Sequence, residues 1–286
     1  MQRRFKQVDV FTAAPLRGNP LAVVLDSGGL DTATMQRFTD WTNLSEATFL
    51  APPQSAEADY AVRIFCPGRE LPFAGHPTLG SCHAWLEAGG KPRGEHIVQE
   101  CGVGRVRIRR DGERLAFAAP PLKKTGPLSD DDVALIARGL GVARSDIVAH
   151  AWCDNGPNWR GVLLKSAEQV LALRPDGQVL AGLDVGVVGR RGKVGVVAAR
   201  DSAYETQFEV RAFFHGNNGI AEDPVTGSLN AALAQWLIGA GYAPSRYVAA
   251  QGAALGRAGR VFVEQVGSDI WIGGGSVTVV DGTVRI

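Results

Sequence analysis

Two segments far apart in this chain carry nearly the same pattern, and that repetition constrains the fold more than any single motif. One runs His76-Pro77-Thr78-Leu79-Gly80-Ser81-Cys82-His83-Ala84-Trp85-Leu86, the other Asp223-Pro224-Val225-Thr226-Gly227-Ser228-Leu229-Asn230-Ala231-Ala232-Leu233. Aligned without gaps, each has a titratable residue, a proline, a Gly-Ser step and an apolar-periodic stretch. Leu229, Ala232, Leu233, Trp236 and Leu237 share one helical face. Leu79, Cys82 and Leu86 repeat this more weakly. A Gly-Ser step at a helix start lets a ligand approach the backbone and supplies a hydroxyl beside the positive end of the helix dipole. Helix capping explains either copy alone but does not require the whole pattern twice. The expectation is two similar halves facing a cleft. A small acid would lie there between two helix N-termini, with His76 on one wall and Asp223 on the other.

The rest of the chain fits that plan. A length of 286 residues suits two domains. Short β runs dominate: 7–11, 21–25, 47–51, 60–65, 96–100, 104–109 and 114–118 in the first half, 161–164, 194–199, 208–214, 260–264, 269–273 and 276–280 in the second. Asp111-Gly112 marks a hairpin. Helices are expected from Asp31 to Asn43, after Ser129 to about Leu140, and from Ser228 to Gly239. The proline-rich stretch from Pro120 to Pro127 reads as a linker. It divides the chain into domains 1–121 and 122–286, with the last strand able to return to the first domain.

Charge and composition narrow the function classes. With 30 basic and 29 acidic residues the net charge is +1, which gives no electrostatic reason to expect nucleic acid or a membrane surface as partner. Lys6, Gln7 and Asp9 interrupt the apolar run a signal peptide needs, and no stretch reaches the roughly 20 apolar residues of a span. A cytoplasmic protein is expected. Cys66, Cys82, Cys101 and Cys153 form no C-x-x-C pair and have no histidine at zinc-finger spacing, so they read as reduced thiols and no metal site is expected. The glycines from Val185 to Val197 do not follow G-x-G-x-x-G, and Gly189-Arg190-Arg191-Gly192 reads as a turn between strands. Ser45 lacks a nucleophile elbow.

Three stretches together carry a resemblance: Asn43-Leu44-Ser45-Glu46-Ala47-Thr48-Phe49, Phe73-Ala74-Gly75-His76-Pro77-Thr78-Leu79-Gly80 and Glu222-Asp223-Pro224-Val225-Thr226-Gly227-Ser228. They closely resemble the signature motifs of the PhzF family of phenazine-biosynthesis isomerases. Val10-Phe11-Thr12 with Gly18-Asn19-Pro20 looks like that family's opening. Gln251-Gly252, Leu255-Gly256-Arg257, Ile272-Gly273-Gly274 and Ser276-Val277 look like its closing pieces. The resemblance implies an α+β, diaminopimelate-epimerase-like fold: two pseudo-symmetric domains, each a curved, mostly antiparallel sheet around a central helix. Racemases of that fold place a cysteine at each helix start. Ala74 and Pro224 stand roughly there, which disfavours a two-cysteine mechanism.

The resemblance further implies a proton-shuttling isomerisation of a small carboxylate-bearing metabolite like trans-2,3-dihydro-3-hydroxyanthranilate, without metal or other cofactor. Glu46 would remove and return the proton. His76 and Asp223 would hold the substrate's amino and hydroxyl region and tune the transfer. Gly75, Gly227 and Ser228 would donate to the substrate. Leu44, Ala47 and Phe49 flank Glu46, and an apolar pocket raises a carboxylate toward roughly 6–7. Family members often form dimers, so a homodimer is a further expectation. Two other readings stand beside this one. The first is an epimerase, racemase or lyase of the same fold, with Asp223 and Glu46 as two bases. The second is a small-molecule-binding homologue without catalysis.

Overall fold

The computed structural model describes residues 1–183, 193–200, 205–216 and 219–286. The chain opens with β1 (Gln2–Val10) and β2 (Asn19–Val24). Helix α1 (Thr32–Thr42) begins where Asp31 accepts from the Thr34 N–H and ends at Asn43, which takes the left-handed conformation (φ 55°) common at helix C-termini. Strands β3 (Ala47–Ala51), β4 (Tyr60–Cys66) and β5 (Arg69–Leu71) lead into α2 (Gly75–Glu87). Then come β6 (Ile97–Cys101), β7 (Gly104–Asp111) and β8 (Arg114–Ala118), the last two joined by a turn with Gly112 at φ 62°.

Helix α3 (Asp130–Leu140) is capped by Ser129 and ends at Gly141 in the left-handed region. It is followed by β9 (Ile147–Cys153), β10 (Trp159–Leu164), α4 (Ala167–Ala172) and α5 (Gly177–Leu180). Next are β11 (Lys193–Ala199), β12 (Phe208–Gly216), β13 (Gly219–Asp223), α6 (Gly227–Gly239), β14 (Arg246–Gln251) and β15 (Gly259–Val266). The chain closes with β16 (Asp269–Gly274) and β17 (Ser276–Arg285). Gly189 to Gly192, expected as a turn, lie outside the described residues. Among the described residues no helix is long and apolar enough to cross a membrane.

Two compact units result: Met1–Ala118 with Trp271–Ile286, and Ala119–Ile270. In the first, β1 lies antiparallel between β17 and β2, and β2 runs parallel to β3. β3 pairs antiparallel with β4, which pairs antiparallel with β5 and parallel with β6. β6, β7, β8 and the Trp271–Gly274 part of β16 continue antiparallel. In the second unit β9 is antiparallel to β10, β10 parallel to β11, and β11 antiparallel to β12. β12 pairs antiparallel with β13 and parallel with β14, which is antiparallel to β15. From β9 to β15 the second unit thus repeats the pairing of β1 to β7, and α6 follows β13 as α2 follows β5. Both helices are enclosed. Every residue from Gly75 to Cys82 is buried, as is every residue from Leu229 to Ala234. The class is α+β.

This topology corrects the register of the sequence repeat. Helix α2 starts at Gly75 and α6 at Gly227, so these two glycines are equivalent, and Gly80-Ser81 falls in the second turn of α2, away from its start. The gapless alignment misled because proline is tolerated at two different places. Pro77 sits in the first turn, where its missing N–H costs no ladder bond, and Pro224 sits before the helix. Gly80 serves packing. A Cβ there would lie 2.6 Å from Leu21 Cδ2 and 2.9 Å from Val10 Cγ2, so the helix rests directly on β1 and β2. The buried Ser81 hydroxyl bonds Thr48 Oγ1 on β3 at 2.8 Å. The true repeat extends further: the spacing from Gly75 to Gln99 and Gly104 equals that from Gly227 to Gln251 and Gly256.

Gly80→Val tests the packing role. The gain in helix propensity is at most about 0.5 kcal/mol, while overpacking costs about 1–3 kcal/mol. The urea midpoint is expected to fall with little change in slope, and an unchanged midpoint contradicts the close approach.

Candidate active site

In the first unit the site grows from the end of α1. Asn43 reverses the chain, Leu44 packs on the cluster formed by Ala22, Phe38, Ala47, Phe49 and Phe65, and Glu46 stands immediately before β3. Its side chain is 17% exposed. Helix α2 supplies His76 in its first turn, one residue after Gly75, with Ala74 as the N-cap. Imidazole Nε2 lies 3.5 Å from Glu46 Oε2. On the other side of the ring, Asn19 Nδ2 lies 3.3 Å from Nδ1. An amide donating to Nδ1 makes that nitrogen the acceptor and leaves the proton on Nε2, the ring nitrogen nearer Glu46. Burial pushes the His76 pKa down to about 3, so the ring is neutral at physiological pH.

Asn19 is held by its own loop. The buried Asp9 carboxylate accepts from the N–H groups of Arg17 and Gly18 at 2.8 and 2.9 Å and brings the chain into β2 at Asn19. A second buried chain anchors the helix start. Tyr60 Oη donates to Gln99 Oε1 at 2.9 Å, Gln99 Nε2 donates to Thr78 Oγ1 at 3.1 Å, and Thr78 Oγ1 donates to the Ala74 carbonyl at 2.9 Å.

In the second unit Asp223 ends β13 and lies before α6, whose N-cap is Thr226. Thr226 Oγ1 donates to Asp223 Oδ2 at 2.7 Å. Arg211 on β12 forks onto Glu222 at 2.9 and 2.7 Å and donates to the Val170 and Leu173 carbonyls, which holds the residue next to Asp223. Gly227 and Ser228 form the first turn of α6. Trp159 Nε1 donates to Ser228 Oγ at 3.1 Å. An indole N–H only donates, so the Ser228 hydroxyl hydrogen is directed to another acceptor, a suitable arrangement for a carboxylate. Asn155 Nδ2 fixes the Ser228 carbonyl at 2.9 Å.

The structure therefore brings Glu46, His76 and Gly75 together in one unit and Asp223, Gly227 and Ser228 in the other. Asn19, Thr226, Gln251, Trp159 and Arg211 complete these surroundings; the first three stand in the motifs that carry the family resemblance, while Trp159 and Arg211 had no signal in the sequence. Other titratable residues have ordinary roles. Glu70 pairs with Arg63 at 2.6 Å, His83 lies 3.2 Å from Glu87, His96 stacks on Trp271, and His150 Nδ1 accepts from the Leu128 N–H. The side chain of His215 lies outside the described residues. The helix N-caps are Ala74 and Thr226, neither of them cysteine, and burial raises the Cys82 and Cys153 thiols to about 12.

The buried His76 carries a pH signature. Below its ordinary value near 6.5 the unfolded chain takes up a proton that the folded chain refuses down to about 3. Stability is expected to fall as pH drops through that window and to be flat above it. Urea unfolding across pH should show a shallower acid slope in His76→Gln than in wild type; equal slopes contradict a neutral, buried ring.

Comparison with known proteins gives the family. An uncharacterized isomerase of Mesorhizobium japonicum is 35% identical over 303 residues, covering 99% of each chain. The trans-2,3-dihydro-3-hydroxyanthranilate isomerase of Pseudomonas aeruginosa is 31% identical over 272 residues, covering 93% of this chain and 91% of its own. The crystal structure of a PhzF-family phenazine biosynthesis protein from Enterococcus faecalis superposes with a TM-score of 0.80 at 27% identity and full coverage of both chains. Residues 8–282 match the family described as phenazine biosynthesis-like protein, PhzC-PhzF, and the chain belongs to that isomerase-type family.

Proposed function

We propose that this protein moves a proton, and with it a double bond, within a small carboxylate-bearing metabolite of the trans-2,3-dihydro-3-hydroxyanthranilate type. The observation that carries the reading is the facing pair of Glu46 and neutral His76, 3.5 Å apart at the start of an enclosed helix. It is supported by relatives named as isomerases of that compound.

In this reading the Glu46 carboxylate takes a proton from a carbon next to the unsaturated system and returns it to another carbon of the same molecule. His76, with its proton on Nε2, donates to Glu46 or to a substrate oxygen as charge moves. Asp223 accepts from the substrate's amino or hydroxyl group. The N–H groups of Gly75 and Gly227 and the Ser228 hydroxyl donate to it, and the dipole of α6 favours a carboxylate. A proton moved between two carbons of one substrate leaves the oxidation state unchanged, so the reaction needs no nucleotide or flavin as oxidant or reductant. The proposal includes a cytoplasmic location and a homodimer.

Two measurements test it. Protein incubated with trans-2,3-dihydro-3-hydroxyanthranilate in deuterated water is followed by proton NMR. Wild type should consume the starting alkene pattern and incorporate deuterium. Glu46→Gln should lose about 10²–10⁴-fold in rate while binding nearly as well; wild-type exchange in that variant removes Glu46 from the mechanism. Ser228→Ala should raise KM about tenfold to a hundredfold with kcat nearly kept, as expected for loss of a hydrogen bond to a charged group in ground and transition states alike. An unchanged KM rules out Ser228 as a carboxylate ligand.

A further inference from the structure

Gln251 is almost fully buried at the end of β14 and makes more polar contacts to the start of α6 than capping requires. Its Oε1 accepts from the Thr226 N–H at 3.1 Å and from Asn230 Nδ2 at 2.8 Å. Its Nε2 donates to the Asp223 carbonyl at 3.1 Å and to Thr226 Oγ1 at 2.9 Å. Two of these partners are backbone groups of fixed character: an N–H can only donate and a C=O can only accept. The amide therefore has one orientation. Thr226 Oγ1 accepts from it, and the hydroxyl hydrogen goes to Asp223 Oδ2, 2.7 Å away.

We infer that Gln251 and Thr226 form a positioning pair that presents Asp223 as a hydrogen-bond acceptor for the isomerisation. The inference rests on the proposed role of Asp223 in that reaction. Gln99, the equivalent glutamine of the first unit, shows what the position does without this function: its side chain links Tyr60 to Thr78, whose hydroxyl ends on the Ala74 backbone carbonyl. At Gln251 the same strand position reaches a carboxylate through one hydroxyl. The next residue confines the geometry. Gly252 has φ +94°, and a Cβ there would lie 2.6 Å from the Pro224 carbonyl oxygen, so the strand end and the segment after Asp223 are in direct backbone contact.

The test reads Asp223 itself. Protein labelled with ¹³C at the aspartate carboxyl is studied by NMR, and the Asp223 signal is assigned by its loss in Asp223→Asn. Thr226→Val keeps the shape and removes the hydroxyl; Gln251→Glu keeps Oε1 and replaces the donating NH2 with oxygen. Both are expected to shift the Asp223 signal and lower kcat/KM on trans-2,3-dihydro-3-hydroxyanthranilate about tenfold to a hundredfold. Thr226→Ser should restore both signal and activity, which a purely structural role for the threonine would not produce. If Gln251→Glu does not fold, the two Thr226 variants carry the test. An unmoved signal in Thr226→Val overturns the pair, as does a moved signal with kcat/KM within twofold of wild type. If wild type does not turn over this compound at all, the reaction reading fails, and the signal alone decides for or against the pair.

Discussion

Each unit carries a helix enclosed by its own sheet, and the polar side chains buried around the start of that helix need partners, since an unpaired buried donor or acceptor costs about as much as a lost hydrogen bond. That constraint shapes both units. In the first, Tyr60, Gln99 and Thr78 reach the helix start and end on the Ala74 carbonyl. In the second, Gln251, Asn230 and Thr226 do the same work, with Asn230 Nδ2 on the Thr226 carbonyl. The site residues stand beside these networks and inherit their rigidity. Preorganised polar groups of this kind are what proton transfer requires, since they need not reorganise during the reaction.

The two helix starts are built alike but differ in chemistry. The first places a neutral imidazole opposite a carboxylate, and burial keeps the ring uncharged. The second places a carboxylate under a threonine hydroxyl and leaves a serine hydroxyl polarised by an indole N–H. The repeated fold thus carries an imidazole–carboxylate pair at one helix start and a carboxylate acceptor with a separate hydroxyl donor at the other. A chemically identical pair of helix starts, with one cysteine on each, suits inversion of a carbon centre; the N-caps here are Ala74 and Thr226.

Much of the candidate site was legible in the sequence because the motifs that compose it are local. Asn43 to Glu46, Gly75-His76 and Asp223 with Gly227-Ser228 each lie at the junction of two elements, where a turn, a cap and a functional group share a few residues. The helices at 32–42, 130–140 and 227–239 followed from capping residues and periodicity, whereas the α+β class came from the family resemblance. The strands β5, β9, β13 and β14 did not stand out. β5 has three residues, and the others lie in stretches whose strand character depends on their neighbours, as strand preference generally does.

By itself the sequence determined that the chain repeats and that each half carries a polar group, His76 or Asp223, beside a glycine-led helix; Glu46 joined them through the family resemblance. Only the tertiary structure decided the register of the repeat and the partners of those groups. Proline is acceptable both before a helix and inside its first turn, so the one-dimensional pattern admitted an alignment that the equivalence of β5 with β13, and of Gly75 with Gly227, excludes. Asn19 meets His76, and Gln251 meets Thr226, across tens of residues. A hydrogen bond of that kind depends on which strands lie side by side, and strand order is set by burial of the whole sheet rather than by any local run of residues.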